Sequence, residues 1–314
     1  SGCSILRPRR PSGRIRAARL SMVQPPDRPR WARLPTHELT DVADDDLDDD
    51  IVDNDEASDE ASDQQGVELR IDDVEDPMTH LLLGEIEVEG RMPYSSNATF
   101  LVHVTHEGKS HPAIYKPMRG ERPLWDFKPG LHRREVATYR MSEALGLHVV
   151  PPTVLRDGPV GEGSVQWFVA GDFAEHYFTM MESRVDLHDR FRALALLDII
   201  CNNTDRKSGH CILVPERNAD DGTLLPAEVW GIDHGLCFAA EYKLRTVIWE
   251  FADEEISEPL LDRVNRLVDR VPLDIATLLS DDEVEAIQGR AAWCVKHRRF
   301  PTDPTGRRYP WPLV

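Results

Sequence analysis

Asn203-Thr204-Asp205-Arg206-Lys207-Ser208-Gly209-His210-Cys211-Ile212-Leu213 is answered downstream by Gly231-Ile232-Asp233-His234-Gly235-Leu236. The apolar run Ala193 to Ile200 leads into the first stretch, a polar turn follows, and Cys211 to Val214 reads as a short strand. Val229 to Ile232 reads as a second strand, ending in an acid and a glycine. Together they predict a hairpin with Asp205 at one mouth and Asp233 at the other. Asp is common in turns, and either residue alone would be read that way. Two carboxylates on adjacent strand ends also suit divalent metal and proton chemistry around a phosphate.

The chain has 314 residues, which suggests about two domains. Its formal net charge is -19, and much of that lies between Asp41 and Asp63, where acids alternate with almost no apolar side chains. Such a run cannot bury enough surface to offset its chain entropy and is expected to be disordered. We therefore read residues 1–75 as a basic, then acidic tail, whose charge says little about the partner of the folded part. The Arg-rich start lacks the apolar stretch of a secretory signal, and Pro8 and Pro11 argue against an amphipathic helix there. Cys3, Cys201, Cys211, Cys237 and Cys294 show no CxxC pair. This spacing argues against a disulfide scaffold or a zinc site and for a cytoplasmic protein with buried thiols. No stretch approaches the length of a membrane span.

Order is expected from about Leu81. Leu82 to Gly90, Thr99 to Val104 and Ala113 to Lys116 read as three antiparallel strands. The turn Glu107-Gly108-Lys109 joins the last two, and Pro117 stops the third. Between the first two lies a polar loop with Ser95, Ser96 and Asn97, whose N–H groups and small side chains suit a phosphate chain. An ordinary hairpin loop would have the same composition. Lys116 ends the third strand, and Glu135 lies in the first turn of a predicted helix from His132 to Leu145, stopped by Gly146. A carboxylate there is favourable to the helix dipole in any case. Leu147 to Val154 reads as extended. Gly163 to Val169 reads as an apolar strand, and Phe168, Val169 and Ala170 are candidates for a hinge whose backbone would meet an adenine edge, or for plain core. Helices are expected over Arg190 to Cys201, Glu258 to Val268, and from the capping box Ser280-Asp281-Asp282-Glu283 to Lys296. The end, Arg307 to Pro312, reads as an extended surface segment.

This order of sheet, Lys, Glu, hinge, helices, Asp-x4-His and Asp-x-Gly resembles a bilobal protein-kinase-like fold. It is α+β, with a small antiparallel β lobe and a mainly helical C-lobe, and its lobes would span 80–170 and 171–314. The pattern is most similar to the phosphatidylinositol 3-/4-kinase superfamily and its type II phosphatidylinositol 4-kinase branch. The carriers of the likeness are Asn203-Thr204-Asp205-Arg206, Ile232-Asp233-His234-Gly235-Leu236-Cys237-Phe238 and Arg134-Glu135-Val136-Ala137-Thr138-Tyr139. It also resembles an uncharacterised actinobacterial family grouped with these kinases. The resemblance implies ATP and Mg²⁺ or Mn²⁺ as cofactors. Lys116 would contact phosphates and pair with Glu135. Asp205 would orient or deprotonate an acceptor hydroxyl, and Asp233 would bind the metal. Ser95, Ser96 and Asn97 would cover the phosphates. The family pattern has Asn as a second metal ligand where this chain has His210; the imidazole could ligate Mn²⁺ or bind Mg²⁺ weakly, since it favours softer ions, or be a histidine hydrogen-bonded within its turn.

An ATP- and metal-dependent phosphotransferase is the reading these residues favour. The acceptor would be a lipid, protein or small-molecule hydroxyl. Nothing points to a nucleic-acid partner, and peripheral membrane contact stays open. His210 keeps a second reading alive, a pseudokinase that binds nucleotide and acts through a partner. A third is an AMP transferase on the same fold.

Overall fold

The alternating segments pair into one antiparallel sheet, and the order of pairing puts the Lys-bearing strand at its centre. The computed structural model describes residues 72–92, 95, 97–219 and 222–313; the segment up to residue 71, and with it most of the expected tail, lies outside the described residues, as does Ser96. The chain enters through helix α1 (Pro77–Leu83) and then forms strands β1 (Glu85–Arg91), β2 (Phe100–His106) and β3 (Lys109–Pro117). Helix α2 (Leu131–Ala144) leads to the hairpin β4 (Thr153–Gly158) and β5 (Gly161–Trp167). The five strands run antiparallel in the order β1-β2-β3-β5-β4. Val102, Val104, Ala113, Tyr115, Val154 and Val165 form the buried face, with Leu81 from α1 packed on them.

The expectation that Leu82 and Leu83 begin a strand is corrected. Asp76 Oδ1 accepts a hydrogen bond from Thr79 N at 3.1 Å, Pro77 stands at the first helical position, and these local signals start a helix instead. Gly84 ends it because a Cβ there would lie 2.4 Å from Val104 Cγ1 and 2.7 Å from His80 O. The strand from Gly163 is longer at its start and stops at Trp167, so Val169 lies beyond it. Strand β4 begins only at Thr153, because Pro151 and Pro152 have no N–H for the ladder.

The second half is mainly helical: α3 (Tyr177–Ser183), α4 (His188–Cys201), α5 (Glu258–Asp269), α6 (Leu273–Ala276) and α7 (Asp281–His297). Two small hairpins interrupt it. One pairs β6 (Cys211–Val214) with β9 (Glu228–Gly231), and within their connection β7 (Arg217–Asn218) pairs with β8 (Leu224–Leu225). Helix α4 is buried on nearly all sides, through Phe191, Leu194, Leu196, Leu197 and Ile200. Ala137, Met141 and Leu145 bring α2 into the same core. The capping box is present, with Ser280 N donating to Glu283 Oε2 at 2.9 Å. Glu283 also accepts from the buried Arg134 guanidinium, so the start of α7 clamps α2. Among the described residues no helix is long and apolar enough to cross a membrane.

In the sheet, His111 is buried and stacks on Trp167 at a centroid distance of 3.4 Å. Burial pushes its imidazole down to about 4 against the tendency of Pro112 O to raise it. The unfolded chain therefore binds the extra proton first, so stability is full above about pH 6.5 and falls as pH drops toward 4. His111→Phe, which keeps a stacked ring and cannot titrate, is expected to remove roughly 3 kcal/mol of that pH dependence in urea unfolding followed from pH 7 to pH 4.

Candidate functional site

Lys116 is the next-to-last residue of β3, and its strand position aims the ammonium between two carboxylates from distant parts of the chain. Its Nζ donates to Glu135 Oε1 and, at 2.8 Å, to Asp233 Oδ1. Burial by itself would lower the Lys116 pKa, but Asp233 and Glu135 outweigh it and raise it. In return Lys116 holds the Asp233 carboxyl far below the ordinary range. Glu135 is buried on α2, and its other oxygen accepts from His234 N at 2.9 Å. The α2 carboxylate thus fixes both the lysine and the backbone following Asp233. Helix α2 is itself oriented at its start by Glu121, which accepts from Gly130 N and His132 N at 2.8 Å each.

Asp205 lies in the turn after α4. Its N donates to Asn203 Oδ1 at 3.0 Å, and its carboxylate pairs with Lys207 Nζ at 3.2 Å. Burial raises its pKa, and Lys207 partly offsets this. A carboxylate so shifted holds a proton more readily than an exposed one. Lys207 is turned onto Asp205. His210 Nε2 lies 3.5 Å from Asp233 Oδ2 and its Nδ1 accepts from Lys207 N at 3.4 Å; burial pushes its pKa down to about 4, so the imidazole is neutral and has one unprotonated ring nitrogen. Asp233 adopts φ 58°, a left-handed conformation that Asp tolerates better than most side chains.

Among the described residues no three His, Cys, Asp or Glu side chains cluster to hold a metal by themselves. Asp233 and His210 supply one carboxylate and one imidazole. That pair fits an ion that takes its other ligands from phosphate oxygens and water, as Mg²⁺ and Mn²⁺ commonly do beside nucleotides.

The remaining candidates are less gathered. Ser95 Oγ donates to Thr99 Oγ1 at 2.8 Å, and Asn97 Oδ1 accepts from Arg122 N at 2.9 Å. These contacts shape the β1–β2 loop; among the described residues neither side chain bonds to Lys116, Asp205 or Asp233. Phe168, Val169 and Ala170 follow β5 in the connection to the helical part and are not plain core: the first two are half-buried and Ala170 is exposed. Phe168 N donates to Pro112 O at 3.2 Å, so that donor is already engaged. Gly171 comes next, where a Cβ would meet Ile212 Cγ2 at 2.3 Å and Leu213 O at 2.5 Å.

Sequence reasoning missed the group that holds the site together. Arg206 is fully buried and grips Asp198 of α4, with Nη2 to Oδ1 at 2.9 Å and Nε to Oδ2 at 3.1 Å. It also donates to His210 O at 3.2 Å, Ile232 O at 3.0 Å and His234 Nε2 at 2.6 Å. Asn203 Nδ2 and Thr246 Oγ1 donate to the same Asp198 carboxylate, at 2.9 and 3.1 Å. The available signal was Asp198 itself, a charge inside the apolar run Leu194 to Cys201. Arg206→Met should leave Asp198 buried and unpaired, at a cost of roughly 3–5 kcal/mol read as a lower urea midpoint, whereas Lys207→Met should change stability by less than about 1 kcal/mol.

Lys116 of β3 is thus held by Glu135 of α2 and by Asp233. The chain is similar in structure to the Helicobacter pylori proinflammatory kinase CtkA, with TM-score 0.39 and 14% identity over 70% of this chain and 94% of that one. It is also similar to hydra Fam20, with TM-score 0.44 and 11% identity over 74% of this chain and 91% of that one. No family model matches the sequence. Protein Rv2133c of Mycobacterium tuberculosis is 35% identical over 275 residues, covering 76% of this chain and 95% of that protein. The chain belongs to the family of Protein Rv2133c.

Proposed function

We propose that the protein is an ATP- and divalent-metal-dependent phosphotransferase of the phosphatidylinositol 3-/4-kinase-like group, with one lobe up to about residue 170 and the other beyond it. The observation that carries this reading is Lys116 Nζ lying between Glu135 and Asp233, with His210 beside Asp233. Phosphoryl transfer asks the protein mainly to position reactants and neutralise charge. Lys116, oriented by Glu135, would neutralise the nucleotide phosphates. Asp233 and His210 would hold a divalent ion, which when bound would offset charge on the transferring group. Asp205, with its raised pKa, would take the acceptor's proton. The acceptor oxygen bonds to the γ-phosphorus, the bond to the β,γ-bridging oxygen breaks, ADP leaves, and the hydroxyl proton passes to Asp205. Ser95, Ser96 and Asn97 would lie over the phosphates, and the backbone of Phe168, Val169 and Ala170 would border the adenine.

His210 favours one second reading. A neutral imidazole is a weaker partner for Mg²⁺ than an oxygen donor. A protein that binds ATP and acts through a partner would retain Lys116, Glu135 and Asp233 and tolerate this exchange.

Nucleotide products of the purified chain, with ATP and Mg²⁺ or Mn²⁺, test these readings. ADP is expected, faster with Mn²⁺, and lowered at least about 100-fold by Asp205→Ala and Asp233→Ala. Pyrophosphate and AMP in place of ADP would establish AMP transfer. Tight ATP binding without product in either metal would establish the pseudokinase, and His210→Asn would then restore turnover if that residue is the cause.

A further inference from the structure

The imidazole of His132 is enclosed at the start of α2, and each of its nitrogens meets a carboxylate from a different element. Nδ1 lies 2.6 Å from Oε1 of Glu121, in the connection after β3, and Nε2 lies 3.1 Å from Oε1 of Glu162, on β5. A carboxylate oxygen only accepts, so both contacts are hydrogen bonds only while each ring nitrogen carries a proton. Both carboxyls are held in the ionised form that asks for those protons. Burial alone would raise Glu121, but the His132 ring and the N–H groups of His132, Gly130 and Leu131 bring it down to about 2. Arg133, and after it His132, lower Glu162.

His132 and Glu135 are three positions apart, about one turn of the same helix. Glu162 stands two residues before Ser164, the partner of Lys116 in the β3–β5 register. The imidazole therefore ties the helix that carries Glu135 to the strand beside Lys116. Other charged groups also face this pair. Arg133 Nη2 lies 2.8 Å from Glu162 Oε1, Asp157 is the partner of Glu162 in the β4–β5 register, and Arg119 Nε would lie 3.8 Å from a Cβ at Gly161. The Arg133–Glu162 pair joins the same two elements, but it is solvent-exposed and so holds weakly. The buried imidazole carries the tie.

We propose that His132 is a positioning residue for the Lys116–Glu135 pair, acting as a proton-dependent latch between α2 and β5 that opens as pH rises. Loss of one proton turns a lone pair toward a carboxylate oxygen and replaces an attraction by a repulsion. The bond that fails is the one to Glu162, because that contact is longer and its carboxylate is 35% exposed, against 11% for Glu121. Glu162 then follows Arg133 toward water, and α2 is no longer fixed in register with β5. What the latch controls rests on the phosphotransfer reading: as Glu135 loosens its hold on Lys116, nucleotide affinity falls.

Hydrogen–deuterium exchange of the full chain, corrected for the intrinsic rate at each pH, reads the latch without nucleotide. Protection of residues 131–144 is expected to fall about tenfold between about pH 6 and about pH 9, the effect of losing one charge-assisted hydrogen bond. Glu162→Gln separates a latch from plain packing. Its amide accepts from a protonated ring nitrogen and donates to an unprotonated one, so this variant should hold α2 equally at both pH values. His132→Gln, uncharged at every pH, should loosen α2 at both. Titration of the same samples with N-methylanthraniloyl-ATP and Mg²⁺ should give parent and Glu162→Gln affinities within about threefold at the lower pH and about tenfold apart at the higher. Protection of α2 that stays constant in the parent, or that falls equally in Glu162→Gln, overturns the inference. So does a nucleotide affinity that ignores the change in α2. If no sample binds nucleotide at either pH while α2 responds as expected, the phosphotransfer reading falls and the latch stands.

Discussion

The buried Arg206–Asp198 pair is the constraint on which the rest of the site depends. Two charges removed from water are costly, and here the cost is offset because every oxygen and most of the nitrogens find partners. Those partners are informative. The guanidinium reaches the carbonyls of His210 and Ile232, the residues just before β6 and just before Asp233. One side chain thereby sets the distance between the two turns that carry the acidic residues. Gly231 completes the fit, since a Cβ there would lie 2.6 Å from Leu194 and 3.3 Å from the guanidinium. His234, accepting from Arg206 through Nε2 and donating its backbone N–H to Glu135, passes the same constraint to α2.

From there the order reaches the sheet. Helix α2 packs on the helical core through Ala137, Met141 and Leu145, is clamped to α7 by Arg134 and Glu283, and turns Glu135 toward β3. Lys116 closes the circuit by binding Glu135 and Asp233 together. In the proposed function, the phosphates and metal of a nucleotide would compete with the ammonium for the same carboxylate oxygens. The lysine keeps Asp233 deprotonated and the carboxylates keep the lysine charged, the states the proposed function would require.

Parts of this were open to local reading. The turn Glu107-Gly108, with φ of 49° and 77°, follows from glycine and hairpin chemistry. The α7 capping box follows from Ser280 and Glu283 at their spacing, and α4 from its unbroken apolar run. The misread stretch at Leu82 shows the limit: an apolar run beside alternating residues suits either element, and the decision came from Asp76, Pro77 and packing of Leu81 under the sheet. The hairpin between β6 and β9 was visible as two short apolar strands, but the β7–β8 pair within its connection was not, because two-residue strands carry no periodic signal.

The sequence by itself determined which chemical groups exist and the order in which the chain presents them: a strand lysine, a helix glutamate, two turn aspartates and a histidine between them. Local rules are enough for this, because capping, alternation and turn chemistry act over a few residues. Only the tertiary structure decided which of these groups meet. Lys116 and Asp233 are 117 positions apart, Ser208 N donates to Leu313 O, and no local pattern encodes such pairs. Their meeting is set by burial of apolar faces and by the need to satisfy Asp198 and Arg206 away from water, which are properties of the whole packed chain.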